Sequence, residues 1–424
     1  GLGASLPRSP SPDDAEELAH ETADRPACTA VQGDARFGRW HEPVQVFVAH
    51  SLDPSTDDAA NELADALRAQ MGDARPVVAV VFAAIEHDHE RLLRGLQRVV
   101  GDIPIVGCTT DGELSSAGGF AEDSAVVAVF CGDDLRARMV VATDLSVDVD
   151  GAVARAFAAE PDVGAPAACM VFADGLTVDA VAVVRAMGRR LPAGTPMFGG
   201  TAADQRRMTA TRQFAGTRVL GDCAVAVMLY GEVAIGVGVQ SGWAPLGNTG
   251  TVTRSRDNVV YEIDDQPAGE FYRKYFGEGV ELSPDHPLAV GDGATFYLRA
   301  PLGPADSPGA ISFAGAVPEG AQVRITAASR DEVVSACEQS MVEALGTYRG
   351  GPPTAAMIIS CAARRRLLGT RTTEEFAAVD RCLGGVPTFG FYSYGEIGTR
   401  QGSAVVDFHN ETFVAVLFGQ RAPS

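Results

Sequence analysis

The chain is 424 residues long, 46% hydrophobic, and carries a formal charge of -21 with a pI near 4.7. That length and apolar content suit about two or three domains with large cores. So acidic a surface would be repelled by nucleic acid and by anionic membrane, and it argues against both as partners. Lys274, the single lysine, lies in a Phe/Tyr-rich segment with no glycine loop before it, which argues against Schiff-base or phosphate-loop chemistry. Eight cysteines show no C-x-x-C pair and no zinc-type spacing, and several sit in apolar runs, as small core residues do in a reducing compartment. No apolar run reaches the ~18 residues of a spanning helix. No signal peptide is visible either, so the expected location is the cytoplasm.

Residues 1–40 carry Ser-Pro pairs and an acidic patch, Asp13 to Glu17, without apolar periodicity, and are expected as a disordered or weakly structured arm. From Val44 the grammar changes. A strand at 44–50 precedes a helix capped by Asp57 or Asp58 and running to about 71, an apolar strand at 77–83, a helix at about 88–100, a strand near 103–107 and another at 124–130. A second set follows: strand 138–143, helix 151–159, strand 167–173, helix 178–190, a strand from Pro196, and strand 223–230. A third set comprises strand 322–327, helix 331–345, strand 355–361, helix 373–383, a strand from Pro387, and strand 412–419.

One phrase recurs at the same place in each set: Pro104-Ile105-Val106-Gly107, Pro196-Met197-Phe198-Gly199 and Pro387-Thr388-Phe389-Gly390. The expected fold class is therefore α/β, an internal repeat of three β-α-β-α-β-β units with a β-rich insertion between the second and third. The insertion, 236–320, is rich in proline and glycine and is expected to pack across the repeats. Domains are expected at 41–235 and 236–424.

In sheets with parallel strands, ligands bind outside the carboxyl ends of strands. Gly199, Thr201 and Gly390 stand at such ends, where a glycine permits close approach by a ligand or by another segment of chain. The third set is the most decorated. Ser360-Cys361 ends a strand and runs into Arg364 and Arg365, and Thr372-x-x-Glu375 reads as a capping box. Tyr392, Ser393, Tyr394 and Glu396 are expected at the same end, together with His409 and Asn410. Arg364 or Arg365 set against Glu396 would hold the two ends of a zwitterion. Cys361 beside Arg364 would have a lowered thiol pKa, the basis of a rival reading as an enzyme using Cys361, His409 or Tyr394. His50 ends the first strand and is the candidate haem ligand. Gly390-Phe391-Tyr392-Ser393-Tyr394-Gly395 misses the G-x-S-x-G nucleophile elbow by one residue, and there is no HExxH motif.

Several motifs together, Gly107-Cys108-Thr109-Thr110-Asp111-Gly112-Glu113-Leu114, Phe198 to Asp204, Asn258-x-x-Tyr261-Glu262-Ile263-Asp264, and Gly390 to Ile397 with Phe408-His409-Asn410, resemble the FIST family over about residues 42–420. The resemblance implies an N-terminal FIST half followed by a C-terminal one, and a sensory protein of bacterial signal transduction that binds a small-molecule ligand, an amino acid or similar small carboxylate. Because no kinase, cyclase or receptor segment is attached, it also implies a separate signalling protein as partner. Some members bind haem and sense nitric oxide, which makes haem the cofactor to test.

Overall fold

The computed structural model describes residues 44–159, 164–277, 279, 282–291, 296–399 and 406–421; the expected arm at 1–40 lies outside them. The chain opens β1 Gln45–Ser51, α1 Thr56–Met71, β2 Pro76–Ala83, α2 His89–Val100, β3 Ile105–Thr109, β4 Glu113–Ser115, β5 Gly119–Ala121 and β6 Ala125–Cys131. It continues β7 Arg136–Thr143, α3 Val149–Ala158, β8 Ala168–Ala173, α4 Ala180–Gly188, β9 Met197–Thr201, β10 Gln213–Ala215, β11 Arg218–Leu220, β12 Cys223–Tyr230 and β13 Val233–Gln240. Next come β14 Ala244–Arg256, β15 Val259–Ile263, β16 Gln266–Pro267, α5 Ala268–Phe276, β17 Leu288–Gly291, β18 Phe296–Arg299, β19 Pro301–Pro304, β20 Ile311–Phe313 and β21 Gln322–Ala327. The last stretch is α6 Arg330–Thr347, β22 Ala355–Cys361, α7 Ala362–Leu368, α8 Thr373–Leu383, β23 Thr388–Ser393, β24 Glu396–Gly398, β25 Asp407–His409 and β26 Phe413–Gln420.

These elements make a mixed α/β fold of four sheets. Three have six strands, in the orders β1-β6-β2-β3-β10-β11, β7-β12-β8-β9-β24-β25 and β13-β26-β22-β23-β4-β5. Within them β2/β3, β8/β9 and β22/β23 pair in parallel, and the remaining pairs are antiparallel. A fourth, eight-stranded sheet is built from the insertion and β21. The short hairpins do not stay with their chain neighbours: β4–β5 joins β23, β10–β11 joins β3, and β24–β25 joins β9.

The apolar strand runs are explained by burial on both faces. On the inner face the three six-stranded sheets meet in one core, where Phe82 stacks on Phe391 with ring centroids 4.3 Å apart. Phe130 meets Phe418 edge-on at 5.1 Å. The outer faces are covered by helix pairs, α1 with α2, α3 with α4, and α6 with α8, each over its own apolar cluster. Helix α1 is capped by Ser55, which accepts from the Asp58 amide; Asp57 and Asp58, expected as caps, instead lie in the first turn, where they face the positive end of the helix dipole. Asp88 caps α2, accepting from the Arg91 amide.

Two expectations change. The strand at 322–327, expected to open the third set, pairs with β14 and β17 in the fourth sheet, and the place beside β26 belongs to β13, in register from Val233↔Gln420 to Gln240↔Phe413. The inserted segment therefore begins after Gln240 and separates β13 from α6. The Gly236-Val237-Gly238-Val239 pattern hid this, because glycine weakens a strand signal; here it lets α6 lie against the strand, with the Ser340 hydroxyl donating to Gly238 O at 2.9 Å.

The recurrent glycines are likewise packing positions. Gly107 and Gly199 hold φ of +145° and +146°, and a Cβ on either would overlap the carbonyl oxygen of the parallel neighbour, Val81 or Val171; one on Gly390 would overlap that of Ile358. Close approach of a strand, not of a ligand, accounts for them. Gly199→Ala is expected to destabilise the fold by about 3 kcal/mol, from overpacking and backbone strain together. Urea unfolding measures it, and an unchanged midpoint would refute it.

Candidate functional site

A cavity of about 860 Å³ opens at the carboxyl ends of β8, β9 and β22, beneath the insertion. The strand ends contribute Asp174, Gly175, Thr201, Cys361 and Ala362. The turns beside them contribute Tyr394, Asn410 and Glu411, and the roof comes from Asp257, Asn258, Leu302 and the segment 313–316. Arg206 and Arg366 also reach the lining.

Of the residues expected from sequence, Thr201, Cys361, Tyr394 and Asn410 meet here. Tyr394 is fixed: its hydroxyl donates to Asp204 Oδ1 at 2.5 Å and accepts from the Arg206 amide at 2.7 Å. Burial would raise the Asp204 pKa, but the Tyr394 hydroxyl and the amides of Thr209, Ala210 and Met208 more than offset it and hold the carboxyl below its usual range. The Tyr394 phenol is pushed up, first by burial and then by its bond to Asp204.

The expected zwitterion clamp does not form. Arg364 is wholly buried between α6 and α8, its Nε 2.9 Å from Glu375 Oε1 and its Nη2 2.8 Å from the Val333 carbonyl, with a further bond to Ser241 O. Glu375 also accepts from Ser360 Oγ at 3.0 Å and from the Tyr392 hydroxyl at 2.5 Å. The capping box is absent too: Thr372 has helical dihedrals and caps nothing with its side chain, because Glu375 is turned inward to neutralise Arg364. Arg365 ties the β4–β5 hairpin to α7 through Asp111 Oδ2 at 2.7 Å and Glu122, and lies over the Phe120 ring. Glu396 accepts from Ser393 Oγ at 2.7 Å and from both the amide and the hydroxyl of Thr412, at 3.1 and 2.8 Å; burial pushes its pKa up to about 7. Thus Ser360, Tyr392, Arg364, Arg365, Ser393 and Glu396 are interior structure, and Gly199 and Gly390 do not line the cavity.

His409, beside Asn410, shares a 3.0 Å hydrogen bond with Gly398 O and also lies off the cavity lining. His50 does not fit a haem ligand. Its Nδ1 is 2.9 Å from Ser115 Oγ and its Nε2 2.9 Å from Ser124 Oγ, so both nitrogens are engaged, and burial lowers its pKa to about 4. Among the described residues no group of three or more His, Cys, Asp or Glu could hold a metal ion. Cys361 does not have the lowered pKa expected of it. Burial, then the Glu396 and Glu411 carboxyls, raise it well above the usual range and keep it a thiol, while the Arg364 guanidinium is spent on Glu375.

Sequence reasoning missed Arg366 and Glu411. Three consecutive arginines look alike on paper, and a glutamate in a turn reads as solvated; yet Glu411 is fully buried. Its position next to Asn410, just before an apolar strand, was the available signal.

Residues 77–266 match the FIST N domain and residues 268–399 the FIST C domain. The chain belongs to the FIST family. FIST domains are generally small-ligand sensory domains in signalling. An uncharacterized protein of Mycobacterium tuberculosis (strain H37Rv) is 26% identical over 378 residues, covering 85% of this chain and 96% of the relative. An uncharacterized protein of Mycobacterium bovis is 26% identical over 371 residues, covering 82% and 92%. Among solved structures, cyanuric acid hydrolase from A. caulinodans aligns with a TM-score of 0.36 and 12% identity over 90% of this chain and all of that one, a likeness too distant to inform fold or function. The two FIST segments are interlocked. Strand β4 of the first, itself paired with β5, pairs with β23 of the second, and the cavity takes Thr201 and Arg206 from the first and Cys361 and Arg366 from the second.

Proposed function

We propose that this FIST protein is a cytoplasmic sensor that binds an amino acid or similar small carboxylate in the cavity beneath the insertion and passes the signal to a separate protein. The observation that carries the reading is the cavity itself. It lies at strand ends, is assembled from both FIST segments, is roofed by a separate sheet, and has a volume suited to a small molecule. The carboxylate partner in this reading is Arg366, in place of Arg364 or Arg365. Its side chain is 44% exposed and holds Ser283 Oγ at 3.1 Å and Asp285 at 3.5 Å, contacts that leave other guanidinium donors for a ligand.

The same reading keeps three β-α-β-α-β-β units, with the insertion moved inside the third, after its first strand. The matching strand orders of the three six-stranded sheets support it. A division between the first two units and the third would then fall near Val233, where β13 begins, rather than at 235/236, with sheets shared across it. Among the described residues no helix is long and apolar enough to cross a membrane.

A thermal-shift screen of amino acids and small carboxylates tests the reading. A ligand at about 100 times its Kd should stabilise the fold by roughly 2.7 kcal/mol. Arg366→Ala should leave the unliganded midpoint unchanged and weaken binding by about tenfold or more, as expected for a lost charged hydrogen bond. Silence across the whole screen would overturn the proposal.

A further inference from the structure

Asn410 and Glu411 sit in the turn between β25 and β26 and both face the cavity. Asn410 is 1% exposed and Glu411 0%. Among the described residues, neither Oδ1 nor Nδ2 of Asn410 has a hydrogen-bond partner, and neither does either carboxyl oxygen of Glu411. Buried polar groups in folded proteins are almost always paired, so two adjacent side chains with four unpaired atoms, turned into one cavity, mark groups that a ligand satisfies. We propose that this pair recognises an amide edge, a carboxamide or ureido group presenting N–H beside C=O, at the end of the ligand away from its carboxylate. The inference rests on the reading of the cavity as the ligand site.

The choice of amide follows from what the two side chains offer. Asn410 presents an N–H donor beside a carbonyl acceptor. Glu411 is surrounded by Glu396, Asp285 and the Cys361 thiol on the acidic side and by Arg364 and Arg366 on the basic side. Burial first, then Glu396, raise its pKa well above the usual range, so it too presents a donor, O–H, beside an acceptor. A planar amide answers both edges, returning a donor to each acceptor and an acceptor to each donor. An ammonium carries donors only; it would leave the Asn410 amide N–H unmatched and require Glu411 to ionise beside Glu396. A second carboxylate carries acceptors only and would leave both side-chain carbonyl oxygens unanswered. The ligand class is therefore a small acid with a carboxamide or ureido group at its far end.

Isothermal titration calorimetry of the full chain with matched probes decides it. Succinamate and N-carbamoylglycine carry the amide edge. Succinate, levulinate and 4-aminobutyrate replace it by a carboxylate, a ketone and an ammonium. The amide probes are expected to bind at least about tenfold more tightly than the other three, the discrimination typical of a site whose polar groups would otherwise be unpaired. Asn410→Asp should lose that preference. Glu411→Gln, which keeps a donor beside an acceptor, should retain succinamate binding and keep it as pH rises, whereas the wild type weakens once Glu411 ionises. Tightest binding of 4-aminobutyrate, abolished by Glu411→Gln, would overturn the inference in favour of an ammonium–carboxylate pair. Equal binding of all five acids would overturn it while leaving the cavity as the ligand site. Failure of every acid to bind would overturn both readings together.

Discussion

Arg364→Ala is expected to destabilise the protein by about 3–5 kcal/mol, the range for breaking a buried ion pair. Both side chains of the Arg364–Glu375 pair are fully buried, and their Nη2–Oε1 distance is 2.8 Å. Removing the guanidinium strands the Glu375 carboxylate in the interior and leaves the carbonyls of Val333 and Ser241 without this donor. The tyrosine and serine that also bond Glu375, Tyr392 and Ser360, cannot neutralise its charge. The double variant Arg364→Met/Glu375→Leu should recover much of the loss, since it removes both charges at once. Urea unfolding of the singles and the double supplies the coupling energy. Additive effects would show that the pair is not the clamp joining α6, α8 and β23.

Glu396→Gln carries the second large effect, and its signature is a pH dependence. Burial raises the Glu396 pKa from 4.5 to about 7, with hydrogen bonds from Ser393 and Thr412 opposing the rise. A carboxyl raised in the folded state contributes its full stability below about pH 4.5 and loses it as pH rises through 7, because the unfolded chain ionises first. The wild type therefore gives up about 3 kcal/mol at this site across that window, at 1.36 kcal/mol per pKa unit. Glutamine has no proton to lose, so the stability difference between variant and wild type should move in favour of the variant by about that amount between roughly pH 4.5 and pH 8. His50, lowered to about 4, has the opposite dependence, but it is present in both chains and cancels in the difference. Glu113, also pushed up to about 7 by burial and bonded to Ser124 Oγ at 2.5 Å, should behave alike when replaced by glutamine. Parallel pH profiles for variant and wild type would refute the assignment.

How far the sequence could be read depended on the length scale of the signal. The apolar run at 77–83 announced two-sided burial, and it and the strands expected at 167–173 and 412–419 became buried interior strands of their sheets. The FIST motifs and the place of Thr201, Cys361, Tyr394 and Asn410 at strand ends were legible too. Hairpin exchange was not, because β4, β10 and β24 are only three residues long, too short for a period, and their partners are remote in sequence. Nor could adjacent charged residues be told apart. On one short helix Arg364 turns to the interior, Arg365 to the β4–β5 hairpin and Arg366 to the cavity, since successive residues point about 100° apart. Glu375 read as part of a capping box and Glu411 was passed over for the same reason: the partner or cavity that explains each comes from another part of the chain.

The hairpin exchange also sets an order of events on the ribosome. Strands β4 and β5 leave the exit tunnel early, yet β23, the strand they complete, is made near the end of the chain. At about 5–20 residues per second the hairpin would wait roughly ten seconds or more for its partner. During that interval the backbone groups of β4 that later bond Phe389 and Phe391 remain an open edge, so nascent chains truncated before residue 388 would be the ones to seek a chaperone or another strand.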